Sequence, residues 1–186
     1  MFCPKLVDSS NAVVDDRSLI VETGAIPRTV KDVLESSYKY HNPMGMHPNR
    51  RMEWIGDLKV KTFPTTIKAD VLYFVCCLTA YDARNQNIAK SMASLFDVLG
   101  VDYVTLGTEE WCCGDHMLRM GEKGLFESLA EHNLAMFKKL DFDWIVTLSP
   151  HCYNTFKNDK PYSDAKLNVQ HYTQFIAEKL ENSELR

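Results

Sequence analysis

Five consecutive apolar residues, Val71-Leu72-Tyr73-Phe74-Val75, are followed directly by two cysteines, Cys76-Cys77. A continuous apolar run of this length is typical of a strand in a sheet that is covered on both faces. Similar runs at 103–106 and 144–148 predict two more strands, and a weaker one is predicted at 167–170. The pattern favours a sheet of about four buried strands.

Helical patterns lie between and after these strands. Segments 83–99 and 125–140 place apolar residues at helical spacing, and shorter helices are predicted at 152–157 and 173–180. Strands that alternate with helices are parallel and joined by right-handed crossovers. We therefore expect an α/β fold with a Rossmann-like open parallel sheet of about four strands and helices on both faces.

The first part of the chain lacks this alternation. Pro27 suits the first turn of a helix that continues to Tyr38, and a short helix carrying Trp54 is predicted over 52–58. The segment between these two helices is rich in turn-forming residues. We expect residues 1–65 to form an N-terminal arm that packs on a single domain of residues 66–186.

Charge and hydropathy exclude several classes of partner. The 21 Lys and Arg residues against 25 Asp and Glu residues give a net charge of −4, with no basic stripe for binding nucleic acid. No apolar run approaches the roughly 20 residues of a membrane-spanning helix. The first residues lack the apolar core of a signal peptide, so we expect a cytoplasmic protein.

Cysteines follow each of the first three predicted strands. Cys76-Cys77 comes directly after the first, Cys112-Cys113 lies in the loop after the second, and Ser149-Pro150-His151-Cys152 follows the third. Because the carboxyl ends of parallel strands meet at one edge, we expect these groups to converge there. Four thiolates would satisfy a [4Fe–4S] cluster or a zinc ion, and the residue types leave that choice open.

The spacing of the cysteines resembles that of a known family. Cys77 is followed by 34 residues and then Cys112-Cys113-Gly114, and 35 further residues lead to Ser149-Pro150-His151-Cys152. This order resembles the cysteine-rich CCG domain of heterodisulfide reductases and related iron–sulfur oxidoreductases. The chain departs from that pattern at Ser149, where the fuller motif has cysteine, and at Cys76, where the family often has glycine.

The resemblance implies an iron–sulfur electron-transfer subunit or domain of a heterodisulfide-reductase-like oxidoreductase. One [4Fe–4S] cluster would be bound by cysteines from three loops, Cys77, Cys112, Cys113 and Cys152, and Cys76 could be recruited in place of Ser149. The domain would receive electrons from a partner subunit that carries flavin or further iron–sulfur clusters. It would pass them to a disulfide or thiol, or to a quinone-linked acceptor.

Several neighbouring residues have both a functional and a structural interpretation. Ser149 lies at the lost ligand position but also suits the N-cap of the helix that follows. His151 could donate a hydrogen bond to a cluster sulfur or lie exposed in a loop. Gly114 is expected to need backbone freedom so that amides can approach the sulfurs. Trp111 is expected to shield the cluster, and Glu109-Glu110 to be a solvated loop.

Three other functions remain open at this point. The cysteines could form a structural zinc site in an interaction domain. They could instead serve a metal-free thiol enzyme with Cys112 or Cys113 as nucleophile. Because Ser149 replaces a ligand, the chain could also be a scaffold that has lost its cluster.

Overall fold

The computed structural model describes residues 9–182 of the chain. Its four strands are β1 (Val71–Phe74), β2 (Tyr103–Val104), β3 (Trp144–Thr147) and β4 (Val169–His171). They pair in the order β2-β1-β3-β4, and every pair is parallel. The predicted open parallel sheet is therefore confirmed.

The α-helices of the described residues lie before, between and after the strands. They are α1 (Ser9–Glu22), α2 (Arg28–Tyr40), α3 (Cys77–Tyr81), α4 (Gln86–Val98), α5 (Asp115–Met120), α6 (Lys123–Phe137), α7 (Pro150–Asn158) and α8 (Tyr172–Asn182). Single turns of 3-10 helix cover Pro48–Met52, Gly107–Glu109 and Ser163–Ala165. Within residues 9–182 no helix combines the length and the apolar character needed to cross a membrane.

Helices cover both faces of the sheet because neighbouring residues of a strand point in opposite directions. Tyr73 of β1 contacts Phe96 of α4, with ring centroids 5.3 Å apart. The next residue, Phe74, contacts Phe137 of α6 and Phe156 of α7 on the other face, at 6.3 and 4.8 Å. All of β1 is buried, as the continuous apolar run predicts.

The N-terminal part of the chain contributes to the same core. Leu34 of α2 and Trp54 are buried within the main hydrophobic cluster, and the Trp54 ring lies edge-on to Tyr73 at 5.8 Å. Thr62 forms an isolated parallel bridge with Thr105. The arm thus packs on the sheet, while the boundary at residue 65 remains a prediction.

The structure corrects one predicted helix of the arm. Residues 52–58 do not form a helix; the helical turn covers Pro48–Met52 and turns follow it. Pro48 lies at the start of that turn, where its fixed φ is favourable, and the His47 ring accepts a hydrogen bond from the amide of Asn49 at 3.3 Å. Gly56 has a φ of +55°, which ends any helical path through the predicted segment. Helices α1, α3 and α5 were not predicted.

Candidate functional site

The structure brings five cysteines together at the carboxyl edge of the sheet. Cys76 and Cys77 link β1 to α3, Cys112 and Cys113 precede α5, and Cys152 lies in the first turn of α7. All five are buried and none is in a disulfide. Cys3 lies outside the described residues. The convergence expected from the parallel topology is therefore observed.

The five thiols form a row of neighbours. Cys77 is hydrogen-bonded to Cys112, Cys112 to Cys113, and Cys152 has both Cys113 and Cys76 within reach. The Sγ atoms of Cys152 and Cys113 are 3.3 Å apart. Since one sulfur accepts a hydrogen bond wherever another donates, these contacts divide the row into acceptors and donors.

This division appears in the pKa values of the thiols. Hydrogen bonds from Cys112 and Cys152 lower the pKa of Cys113 to about 6, and one from Cys152 lowers the pKa of Cys76 to about 7. The donors Cys77, Cys112 and Cys152 have raised pKa values, because they donate to these neighbours and because they are buried. The thiolate is the form that binds metals, so ligand binding here would release protons.

Cys76 has an unusual backbone conformation. Its φ of +75° and ψ of 153° fall in a region populated almost only by glycine, which costs other residues about 1–3 kcal/mol. The side chain is nevertheless buried beside Cys152. A strained backbone that delivers a thiol into the row indicates that this thiol has a role.

Gly114 has the backbone freedom that the sequence suggests it needs. Its φ is +89°, and a Cβ atom at this position would lie 2.5 Å from Cδ2 of Phe126. Its amide donates a hydrogen bond to Sγ of Cys112 at 3.5 Å. The glycine lets the chain turn tightly against α6 and direct an amide at the sulfur.

A buried ion pair lies against the thiols. Arg51 and Glu110 have side chains that are only 3% and 1% exposed and are joined by a salt bridge. Both Nη atoms of Arg51 face Sγ of Cys77, at 3.7 and 3.9 Å. Although burial opposes its charge, Glu110 and Cys77 keep the pKa of Arg51 well above its usual value.

The expectation that Glu110 belongs to a solvated loop is therefore wrong, although Glu109 beside it is exposed. The Glu110 carboxylate accepts hydrogen bonds from the amides of Val75 and Cys76, at 3.0 and 2.9 Å. These amides lie at the end of β1, where no strand partner is available to them. Glu110 thus holds the loop that carries the first cysteine pair.

Ser149 and His151 are occupied by structural contacts. The Ser149 hydroxyl accepts a hydrogen bond from the amide of Cys152 at 3.4 Å, which is the N-cap contact of α7. The His151 ring is 66% exposed, and its Nδ1 lies 3.0 Å from the buried carboxylate of Asp115. The N-cap expected for Ser149 is thus observed.

Trp111 covers the second cysteine pair as the middle ring of a stack. The rings of His41 and His132 lie on its two faces, each with a centroid distance of 3.5 Å and nearly parallel planes. The carbonyl of His41 accepts a hydrogen bond from the amide of Cys112 at 2.9 Å. Buried Asn133 donates to the carbonyl of Cys112 at 3.0 Å. Burial lowers the pKa of both histidines, which favours neutral rings in the stack.

The donor set fits a thiolate-ligated iron–sulfur cluster in its chemistry. Five buried soft sulfur ligands come from three loops, an amide is directed at one of them, and a buried cation lies beside another. Within residues 9–182, no group of three or more His, Cys, Asp or Glu side chains surrounds a single metal position. The sulfurs therefore form a row of donors and not a closed cage for one ion.

Sequence reasoning missed three side chains of this site. Arg51 lies in the arm, 59 positions from Glu110, and His41 and His132 come from two different helical regions. Only the placement of Glu110-Trp111 beside Cys112 could have drawn attention to the loop. Nothing in the sequence identifies the partners of these residues.

Comparison with known proteins reveals a family match over the thiol site. Residues 71–157, which include all five buried cysteines, match the family model described as a cysteine-rich domain, CCG. No solved structure matches the chain significantly.

Curated relatives are similar over most of this chain. A probable iron–sulfur-binding oxidoreductase, FadF, of Bacillus subtilis is 33% identical over 99% of this chain and 27% of its own length. An EtfAB:quinone oxidoreductase of Syntrophomonas wolfei is 26% identical over 99% of this chain and 27% of its own. One subunit of a dihydromethanophenazine:CoB–CoM heterodisulfide reductase of Methanosarcina mazei is 29% identical over 80% of this chain and 36% of its own. The chain thus spans between a quarter and two fifths of the length of these relatives.

Proposed function

Because residues 71–157 are a cysteine-rich domain of the CCG type, we propose that this chain is an electron-transfer domain of a heterodisulfide-reductase-like oxidoreductase. The observation that carries the proposal is the row of five buried thiols at the carboxyl edge of the sheet. Relatives named as iron–sulfur proteins and as oxidoreductases support an iron–sulfur role.

The cofactor we propose is one [4Fe–4S] cluster. Cys77, Cys112, Cys113 and Cys152 would supply its four thiolates, and the cluster would supply one-electron redox chemistry. Cys76 would be an additional sulfur ligand, since its thiol lies beside Cys152. Ser149 caps α7 and would contribute through the position of Cys152.

The surroundings of the thiols support this assignment. Gly114 directs its amide at a ligand sulfur, and hydrogen bonds to sulfur together with exclusion of water set the potential of such clusters. The stacked ring of Trp111 would keep water from Cys112 and Cys113. His151 would act indirectly, by holding Asp115.

The proposed partners follow from the names of the relatives. One relative is named for electron transfer from EtfAB to quinone and another for reduction of a heterodisulfide. We therefore propose a redox partner subunit that carries flavin or further iron–sulfur clusters as donor. The acceptor would be a disulfide or thiol, or a quinone-linked group.

Reconstitution of the chain with iron and sulfide under anaerobic conditions tests this function. We expect about four iron atoms per chain and a broad absorption band near 400 nm. Replacing Cys152 with serine is expected to lower the iron content at least severalfold. The matched control is Ser149→Ala, which changes the cap and leaves all five thiols in place. One zinc and no visible absorption would favour the structural zinc site, and a chain that binds no metal would contradict the proposal.

Replacing Cys76 with glycine is expected to stabilise the metal-free chain. The free energy of unfolding should rise by about 1 kcal/mol, because glycine adopts the φ of +75° without strain. The measurement is urea-induced unfolding under reducing conditions. The matched control is Cys77→Gly, which makes the same chemical change inside α3 and should destabilise the chain by about 1 kcal/mol or more. If both variants lose stability, the strain assigned to Cys76 is wrong.

A further inference from the structure

Arg51 reaches from the N-terminal arm into the thiol site. The residue is 2% exposed, its two Nη atoms lie 3.7 and 3.9 Å from Sγ of Cys77, and its Cζ lies 5.4 Å from the ring centre of Tyr81. No other lysine or arginine among the described residues is buried. The site thus contains a cation that water does not screen.

The ion pair with Glu110 leaves part of this cation unused. The Glu110 carboxylate already accepts hydrogen bonds from the amides of Val75 and Cys76 as well as from Arg51. Nε of Arg51 is buried and has no hydrogen-bond partner among the described residues. A buried donor without a partner is costly and is usually explained by a bound group. An anionic acceptor beside Cys77 would satisfy it.

This arrangement has a direct consequence for a redox centre. Reduction adds one electron, and therefore one negative charge, to a cluster; no bond forms or breaks in that step. A buried cation beside a ligand sulfur stabilises the more negative state, as do hydrogen bonds to the sulfurs. Glu110 opposes this effect, but its charge is shared with two backbone amides, whereas Arg51 faces the sulfur directly.

We propose that Arg51 is a positioning residue that raises the reduction potential of the cluster through its contact with Cys77. The proposal rests on the iron–sulfur function proposed above. It gives the N-terminal arm a part in the redox chemistry of a site whose cysteines all lie outside the arm. Glu110 keeps the guanidinium in place and moderates its field.

The test compares two variants in which no buried carboxylate is left unpaired. Glu110→Gln keeps the charge of Arg51, and Arg51→Gln/Glu110→Gln removes it. At a fixed potential, the reduced-to-oxidised ratio of the cluster in the double variant should be at least tenfold lower than in Glu110→Gln, which is 59 mV for one electron. The measurement is a redox titration followed by electron paramagnetic resonance. Equal midpoint potentials would overturn the proposal.

The neighbouring arginine provides the matched control. Arg50 pairs with Glu53, and both side chains are about half exposed. The potential of Arg50→Gln/Glu53→Gln should equal that of Glu53→Gln, because water screens this pair. A similar decrease at both sites would mean that net charge, and not the contact with Cys77, sets the potential.

A second measurement needs no destabilising variant. In the wild-type chain labelled with ¹⁵N-arginine, the reduced cluster should show a hyperfine coupling to an arginine nitrogen. The coupling should persist in Arg50→Gln/Glu53→Gln, and its absence from the wild-type chain would overturn the proposal. A wild-type chain that takes up no iron would instead contradict the iron–sulfur function itself, before any variant is compared.

Discussion

Replacing Arg51 with methionine is expected to lower the free energy of unfolding of the metal-free chain by about 3–5 kcal/mol. The reason is that Glu110 would keep its charge in a position where only 1% of its side chain is exposed, without its cationic partner. Removing one member of a buried ion pair costs far more than the pair itself contributes to stability. Urea-induced unfolding of the reduced chain measures the loss.

Two companion variants identify the cause of that loss. In Arg51→Met/Glu110→Gln no buried charge remains unpaired, so a large part of the lost stability should return. Arg50→Met removes an arginine from the exposed pair with Glu53 and should cost at most about 1 kcal/mol. Equal losses for Arg51→Met and Arg50→Met would contradict the burial assigned to the inner pair.

Replacing Gly114 with alanine should be the most damaging small change in the loop of the second cysteine pair. The φ of +89° strains any other residue, and the added Cβ would lie 2.5 Å from a ring atom of Phe126. Strain and overpacking together are expected to cost about 2–5 kcal/mol. Because the same amide faces Sγ of Cys112, iron uptake should fall as well.

Gly100 offers a control for the strain alone. Its φ is +65°, and a Cβ atom there would meet nothing within 4 Å. Gly100→Ala should therefore cost about 1–2 kcal/mol and leave iron uptake unchanged. If Gly114→Ala is no more harmful than Gly100→Ala, the close approach to Phe126 has no energetic importance.

The sequence predicted the position of the thiol site well, for a topological reason. The apolar run at Val71–Phe74 could only be a buried strand, and parallel strands end at one edge. The cysteines that follow β1, β2 and β3 were therefore bound to converge. The CCG resemblance seen in their spacing was confirmed by the family match, and a heterodisulfide reductase is among the relatives.

The surroundings of the thiols were predicted less well. Glu110 was expected to be solvated like Glu109, because two adjacent acidic residues usually lie on the surface. The prediction failed because a buried arginine from the arm compensates one of the two charges. The helix expected at 52–58 failed in the same region, where Pro48 starts a helical turn earlier and Gly56 interrupts it.

By itself, the sequence determined the alternation of strands and helices, the edge at which the cysteines meet and the family to which their spacing belongs, because each of these depends on short-range patterns and chain order. Only the tertiary structure decided that Arg51 neutralises Glu110 beside Cys77, that Trp111 lies between His41 and His132, and that Cys76 adopts a backbone conformation of glycine. These features join residues that are far apart in the chain or depend on a single backbone angle. Their free energies arise only when the chain is packed and water is excluded.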